Sequence, residues 1–266
     1  MPEAISSLGC LDGGMRTDPE VERVLSRLLA GHRGVLGPAL VGSYVFGSVV
    51  SGDYESGISD VDTVAVLRAS PTNRQLAGLR VLHREIVEEM PGWDDRVECA
   101  YVSVEALEGY RSGSYPAARI SPGERFHAIE LDPSWVLDWY PLRAVGETLW
   151  GPPPATLVPP ITEAEYVDAV RRHVLGWRWT DEGASRRSQA YAILTMCRGL
   201  RTVRTGELVS KREAARWGCE VLPEHAELIG AALAWRAEPR TEPKMEGAST
   251  IDATLRFLAD VRRLVG

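Results

Sequence analysis

Two aspartates one residue apart, Asp60 and Asp62, are the residues whose types and spacing most clearly predict chemistry in this chain. They precede the apolar run 64–67. In a β-strand, residues i and i+2 point to the same face, so the two carboxylates are expected to lie side by side. Adjacent carboxylates repel each other unless a cation neutralises them, and Mg²⁺ commonly binds carboxylates together with phosphate oxygens. The competing interpretation is purely structural, an Asp-rich turn that caps a hairpin.

A glycine-serine turn precedes the aspartates by a dozen residues and follows the apolar segment 39–46. Gly47 and Ser48 can offer backbone N–H groups and a hydroxyl to phosphate oxygens. The order is an apolar strand, Gly-Ser, a polar loop that ends at Ser59, the pair beginning at Asp60, and a second apolar strand. This order resembles the nucleotidyltransferase superfamily that includes DNA polymerase beta. The resemblance implies that the turn and the aspartates hold a nucleoside triphosphate and its metal ions.

A third carboxylate, Glu98, stands in the otherwise apolar segment 97–104, which has the composition of a core strand. An unpaired buried carboxylate is costly. Glu98 therefore lies either at a strand end beside a metal or on an edge strand that faces water, and its neighbours do not decide between the two. Transfer of a nucleotidyl group to a hydroxyl needs metal ions and a base that takes the hydroxyl proton. Glu98 is the candidate for this third carboxylate.

The composition limits the class of partner. The chain has 266 residues and a net charge of −7, which opposes non-specific binding to nucleic acid and favours a small cationic substrate. The four cysteines are scattered, as expected for reduced thiols in a cytoplasm. No run approaches the roughly 18 apolar residues of a membrane span, and no secretory signal pattern begins the chain. We expect a cytoplasmic monomer that binds neither nucleic acid nor membranes.

Alternating helices and strands must position the carboxylates in the first half. Asp18 followed by Pro19 predicts the start of a helix. The segments 39–46, 60–67 and 97–104 predict strands, and an amphipathic helix separates the second from the third. Strands separated by helices predict a mixed α/β sheet.

The second half is predicted to be helical, beyond a proline-rich linker at 151–160. The segments 162–165 and 210–213 have capping-box patterns, and Gly206 is placed as the glycine that ends a helix. A stripe at helical spacing between the two boxes is predicted to be buried: Ala190, Tyr191, Ile193, Leu194, Cys197, Leu200 and Val203.

The run from Arg198 to Trp217 contains an arginine, Thr-Gly, a lysine and Ala-Ala-x-Trp. It is similar to the helical second domain of the aminoglycoside adenylyltransferases that modify streptomycin and spectinomycin. The resemblance implies an α+β fold with a nucleotidyltransferase domain at 1–155, which contains a mixed sheet. It also implies an α-helical bundle at 156–266 that closes over ATP and the acceptor.

The resemblance assigns a role to each candidate residue. Asp60 and Asp62 would bind Mg²⁺, and Glu98 would complete the metal site and act as the catalytic base. Arg198 and Lys211 would contact the triphosphate, and Ser48 and Ser59 would contact phosphate or orient the metal site. The implied cofactors are Mg²⁺ and ATP, the nucleotide donor. The implied acceptor is a cationic aminoglycoside or aminocyclitol antibiotic, whose adenylylation gives resistance.

The acceptor is less clearly indicated than the nucleotide. Streptomycin-modifying members use a Trp and an Asp just before the long helix that carries the Arg, and Trp179, Asp181 and Glu182 are the candidates for this role. Two alternatives stay open. The enzyme could modify another acceptor, such as a protein side chain in the manner of antitoxin-type enzymes or a different metabolite. The chain could also be a nucleotide-binding module without catalysis.

Overall fold

A six-stranded sheet organises the first part of the chain in the computed structural model, which describes residues 18–179, 185–238 and 248–266. The strands are β1 Leu40–Phe46, β2 Val61–Leu67, β3 Val97–Ser103, β4 Tyr115–Ser121, β5 Glu124–Leu131 and β6 Glu147–Trp150. Their order is β5-β4-β3-β2-β1-β6, with β2 and β3 parallel and the other neighbours antiparallel. This confirms the predicted mixed sheet.

Helices cover both faces of the sheet. They are α1 Pro19–Leu36, α2 Ser48–Ser51, α3 Asn73–Glu89, α4 Val104–Gly109, α5 Val136–Val145 and α6 Pro154–Leu157. The start of α1 is as predicted, because Asp18 accepts the N–H of Glu20 and Pro19 occupies the first turn. The helices α1 and α3 pack on one face, and α4 and α5 pack on the other. The connection through α3 makes the parallel pairing of β2 and β3 possible.

The second part of the described chain is helical. Its helices are α7 Glu163–Gly176, α8 Arg186–Thr205, α9 Lys211–Val221, α10 Ala226–Arg236 and α11 Ile251–Val265. They share one apolar core, to which α8 contributes most of its length. Short 3-10 turns occur at Gly37–Ala39, Pro91–Trp93, Pro133–Trp135, Pro223–His225 and Ala248–Thr250. The α+β fold is therefore as expected, and the domain boundary at residue 155 stays a prediction.

Among the described helices, none combines the length and the apolar character that crossing a bilayer requires.

Two local predictions need correction. Tyr191 was expected in the buried stripe of α8, but 56% of it is exposed, because it lies outside the apolar core of the helical part and on the face of α8 toward Lys211. At the start of α7, Thr162 accepts the N–H of Glu165 as predicted, but the carboxylate of Glu165 pairs with Arg111 and leaves the capping box half formed. The second capping box, at the start of α9, is complete.

Candidate active site

Three carboxylates meet at the N-terminal ends of β2 and β3. Oxygen atoms of Asp60, Asp62 and Glu98 lie within 4.8 Å of one another. Asp62 is paired in register with Glu98 across the parallel strands, so their side chains point to the same face. Asp60 lies just before β2, and not inside the strand as predicted. The three predicted carboxylates thus form one cluster, and its oxygen donors suit Mg²⁺.

The glycine-serine turn packs directly against this cluster. Gly47 has φ +72° and ψ −145°, and a Cβ at this position would lie 1.9 Å from Oδ2 of Asp62. Only glycine adopts this backbone readily and leaves the carboxylate its space. The hydroxyl oxygen of Ser48 is buried and has no hydrogen-bond partner among the described residues. It is therefore available to a ligand, which is how buried polar groups without protein partners are usually satisfied.

The charge of the carboxylates is only partly neutralised within the chain. Burial raises the pKa of Asp62 well above its usual value, and repulsion by Asp60 and Glu98 raises it further. Burial also raises the pKa of Glu98 to about 7, with added repulsion from Asp138 and Asp60. Lys211 opposes the shift of Asp62. A divalent cation would supply the missing charge, so the donor set and its electrostatics both fit Mg²⁺.

Two cations from the helical part lie near the cluster: Lys211 acts on Asp62, and Arg198 acts on Lys211 and Asp138. Lys211 is the first residue of α9, behind the N-cap Ser210. Burial and the nearby Arg198 lower the pKa of Lys211 to about 8, while Asp60 acts in the opposite direction. Its Nζ lies 4.7 Å from the centre of the Tyr191 ring. Lys211 and Arg198 therefore border the same cleft, the space between the carboxylates on the sheet and the helices α5, α8 and α9.

A fourth carboxylate in the cleft, Asp138 on α5, was not predicted. Burial raises its pKa to about 6, and Arg119 and Arg198 reduce this shift. No hydrogen bond or ion pair joins its side chain to another described residue. The signal in the sequence is weak. Asp138 is a lone carboxylate between Leu137 and Trp139, and only the packing of α5 turns it toward Glu98.

A buried arginine that was also not predicted fixes the loop before Asp60. Arg96, 4% exposed, donates from Nε and Nη2 to the carbonyl oxygen of Ser59 at 3.0 and 2.7 Å. The Ser59 hydroxyl accepts the N–H of Glu55 at 3.0 Å and lies 3.5 Å from Nη2 of Arg236. Ser59 is thus placed to orient Asp60, and its contact with phosphate stays a prediction.

The acceptor candidates are only partly described. Trp179 is half-buried against the core of the helical part. Asp181 and Glu182 lie outside the described residues. Trp177, two residues before Trp179, makes an edge-to-face contact with Tyr191 at 5.9 Å between ring centres. Tyr191 thus contacts both Trp177 and the ammonium group of Lys211.

A mixed sheet that brings three carboxylates to a glycine-serine turn defines a nucleotidyltransferase, and the model of the nucleotidyltransferase domain matches residues 36–107. The model described as "Aminoglycoside adenylyltransferase, C-terminal domain" matches residues 156–260. The two matches together support an aminoglycoside adenylyltransferase of the nucleotidyltransferase superfamily. The chain is an enzyme, and the alternative of a module without catalysis is not favoured.

Individual proteins are similar to this chain over most of its length. Spectinomycin 9-adenylyltransferase of Staphylococcus aureus is 27% identical over 238 residues, which cover 84% of this chain and 88% of the relative. The crystal structure of spectinomycin adenyltransferase AAD(9) from Enterococcus faecialis, with ATP and spectinomycin, has a TM-score of 0.72. It is 17% identical, and the match covers 92% of this chain and 98% of that chain, so this likeness shows a shared fold.

Proposed function

We propose that the enzyme transfers AMP from ATP, with Mg²⁺, to a hydroxyl of an aminocyclitol or aminoglycoside antibiotic and thereby gives resistance. The observation that carries the proposal is the cluster of Asp60, Asp62 and Glu98, with Lys211 beside it and Arg198 beside Lys211. We favour spectinomycin over streptomycin as the acceptor, because the relatives that match nearly the whole chain are named for spectinomycin.

The metal site would consist of Asp60 and Asp62, with Glu98 beside it. Bound Mg²⁺ would neutralise part of the charge on the triphosphate and on the carboxylates. Gly47 keeps Oδ2 of Asp62 free of steric contact, and the buried Ser48 hydroxyl can donate a hydrogen bond to a phosphate oxygen.

Glu98 would act as the base. A carboxylate with a pKa near the working pH accepts a proton efficiently, and burial raises the pKa of Glu98 to about 7. Glu98 takes the proton of the acceptor hydroxyl while the hydroxyl oxygen forms a bond to the α-phosphorus. The bond from that phosphorus to the bridging oxygen breaks, and pyrophosphate leaves. Lys211 and Arg198 stabilise the charge that develops on the leaving group.

The acceptor would bind beside Glu98 through its positive charge. Asp138 lies in the same cleft and has no ion-pair partner among the described residues, so it can receive an ammonium group of the antibiotic. The exposed ring of Tyr191 offers a flat surface for the ring system of the antibiotic. Trp179, Asp181 and Glu182 stay candidates for further contacts.

The test is a direct assay of transfer. The protein is incubated with Mg²⁺, ATP and, in turn, spectinomycin, streptomycin and a panel of other aminoglycosides. Pyrophosphate release is followed, and the products are examined by mass spectrometry, with Asp60→Asn as the inactive control. An adenylylated antibiotic is the expected product. Adenylylated protein with unmodified antibiotics would refute the proposed acceptor and favour a protein acceptor.

A further inference from the structure

Asp53 joins the loop between α2 and β2 to the helical part of the molecule. Its Oδ1 accepts from Nε of Arg212 at 3.0 Å, and its Oδ2 accepts from Nη1 of Arg236 at 3.1 Å. The two arginines lie 159 and 183 residues further along the chain, on α9 and α10. Only 7% of the Asp53 side chain is exposed. One carboxylate therefore binds two helices of the opposite part.

Neighbouring groups strengthen this connection. Arg212 also forms an ion pair with Glu55, and Nη2 of Arg236 lies 3.3 Å from the carbonyl oxygen of Asp53 and 3.5 Å from the hydroxyl of Ser59. We call Asp53, Glu55, Arg212 and Arg236 the Asp53 clamp. All of its members belong to the chain itself, so the clamp does not need nucleotide in order to form.

The clamp has more energetic weight than a surface ion pair. Exposed pairs contribute little, because water screens both charges. Asp53 is buried, so the loss of a charged partner costs more here than it would at the surface. The planar guanidinium groups also fix direction, since each presents its N–H donors in a rigid fork. The clamp therefore holds both the distance and the orientation of α9 relative to the loop.

The location of the clamp connects it to the active site. Arg212 directly follows Lys211, and both lie in the first turn of α9, so the backbone of Lys211 cannot shift without Arg212. On the other side, the loop that carries Asp53 leads through Ser59 into Asp60. The clamp thus connects the first turn of α9, which carries Lys211, to the loop that leads into Asp60.

We propose that Asp53 is a positioning residue that holds Lys211 opposite Asp60 and Asp62, in the place where the triphosphate binds. The inference rests on the proposed function, because that function assigns Lys211 to the triphosphate. It goes beyond that function because it assigns part of the closure over ATP to ion pairs within the protein. The two sides of the cleft are then aligned before ATP binds, so none of the binding free energy of ATP is used to align them.

The test measures nucleotide affinity and needs no acceptor. The affinities for Mg²⁺-ATP and for AMP are determined by calorimetry for the wild type, Asp53→Asn and Arg212→Gln. We expect both variants to bind ATP about tenfold more weakly, the effect of one weakened charge-assisted hydrogen bond, and to bind AMP as before. Arg212→Gln leaves Asp53 paired with Arg236, so it decides the question if Asp53→Asn does not fold.

Two comparisons separate positioning from general structural damage. In a Lys211→Ala background, the same substitutions should cause no further loss of ATP affinity, because the group that they position is gone. Glu165→Gln breaks the ion pair between Arg111 and α7, which includes no residue of α9, and should leave ATP affinity unchanged. The proposal is overturned if the folded variants Asp53→Asn and Arg212→Gln bind ATP with wild-type affinity. It is also overturned if these substitutions reduce ATP affinity in the Lys211→Ala background as much as they do in the wild type.

The failure of this inference and the failure of the proposed function are distinguishable. A protein that adenylylates no antibiotic but shows the expected ATP affinities would refute the acceptor and leave the clamp in place. A protein that adenylylates spectinomycin and binds ATP equally well in all clamp variants would refute the clamp alone.

Discussion

Gly47→Ala tests whether the glycine-serine turn and Asp62 form one geometric unit. The backbone at Gly47, with φ +72° and ψ −145°, lies in a region that essentially only glycine adopts, so alanine should cost ~1–3 kcal/mol of stability. The new Cβ would stand 1.9 Å from Oδ2 of Asp62, and the carboxylate must retreat by ~1 Å or more to reach a normal contact. A displacement of this size within a catalytic site can cost ~10²-fold in rate.

The control for this experiment is Gly52→Ala. Gly52 also has a positive φ, +73°, but a Cβ there would meet nothing within 4 Å. Gly52→Ala should therefore spare Asp62, and its backbone cost should be smaller, because ψ +15° places Gly52 in the left-handed helical region. The assay measures pyrophosphate release with saturating ATP and antibiotic, and thermal unfolding is followed for each variant. If Gly47→Ala and Gly52→Ala lose similar stability and similar activity, the steric argument about Asp62 is wrong.

Four further predictions follow from the charges in the cleft. Asp62→Asn should abolish turnover but raise the melting temperature in metal-free buffer, because it removes a buried carboxylate that Asp60 and Glu98 repel. A lower melting temperature would contradict this prediction. Glu98→Gln should keep ATP affinity and lose ~10²–10⁴-fold in kcat. The kcat of the wild type should rise with pH as Glu98 deprotonates. If kcat of the variant rises with pH in the same way, Glu98 is not the base. Without Mg²⁺, stability should fall as pH rises from about 4.5 to about 7, because Glu98 holds its proton more tightly in the folded state, and calorimetric melts across this range will check the sign. Asp138→Asn should raise KM for the antibiotic and leave ATP affinity unchanged, whereas an unchanged KM would place the ammonium group elsewhere.

Much of the site follows from local patterns in the sequence. The alternation of a strand puts Asp62 and Glu98 on the same face as Val64 and Ala100, and the structure pairs the two carboxylates in register. The capping signals before α1 and α9 also depend only on neighbouring residues, and both are formed. Such features are predictable because the interactions that produce them span a few residues.

The groups that only the tertiary structure could decide are those that act across the chain. Asp53 and Arg212 lie far apart in sequence, and nothing near either residue indicates the other. Asp138 is an ordinary helical aspartate until α5 packs on the sheet and brings it near Glu98. Tyr191 has the spacing of a core residue and is nonetheless exposed to the cleft. Periodicity determines the face of an element on which a residue lies, whereas only the packing of elements determines what that face meets.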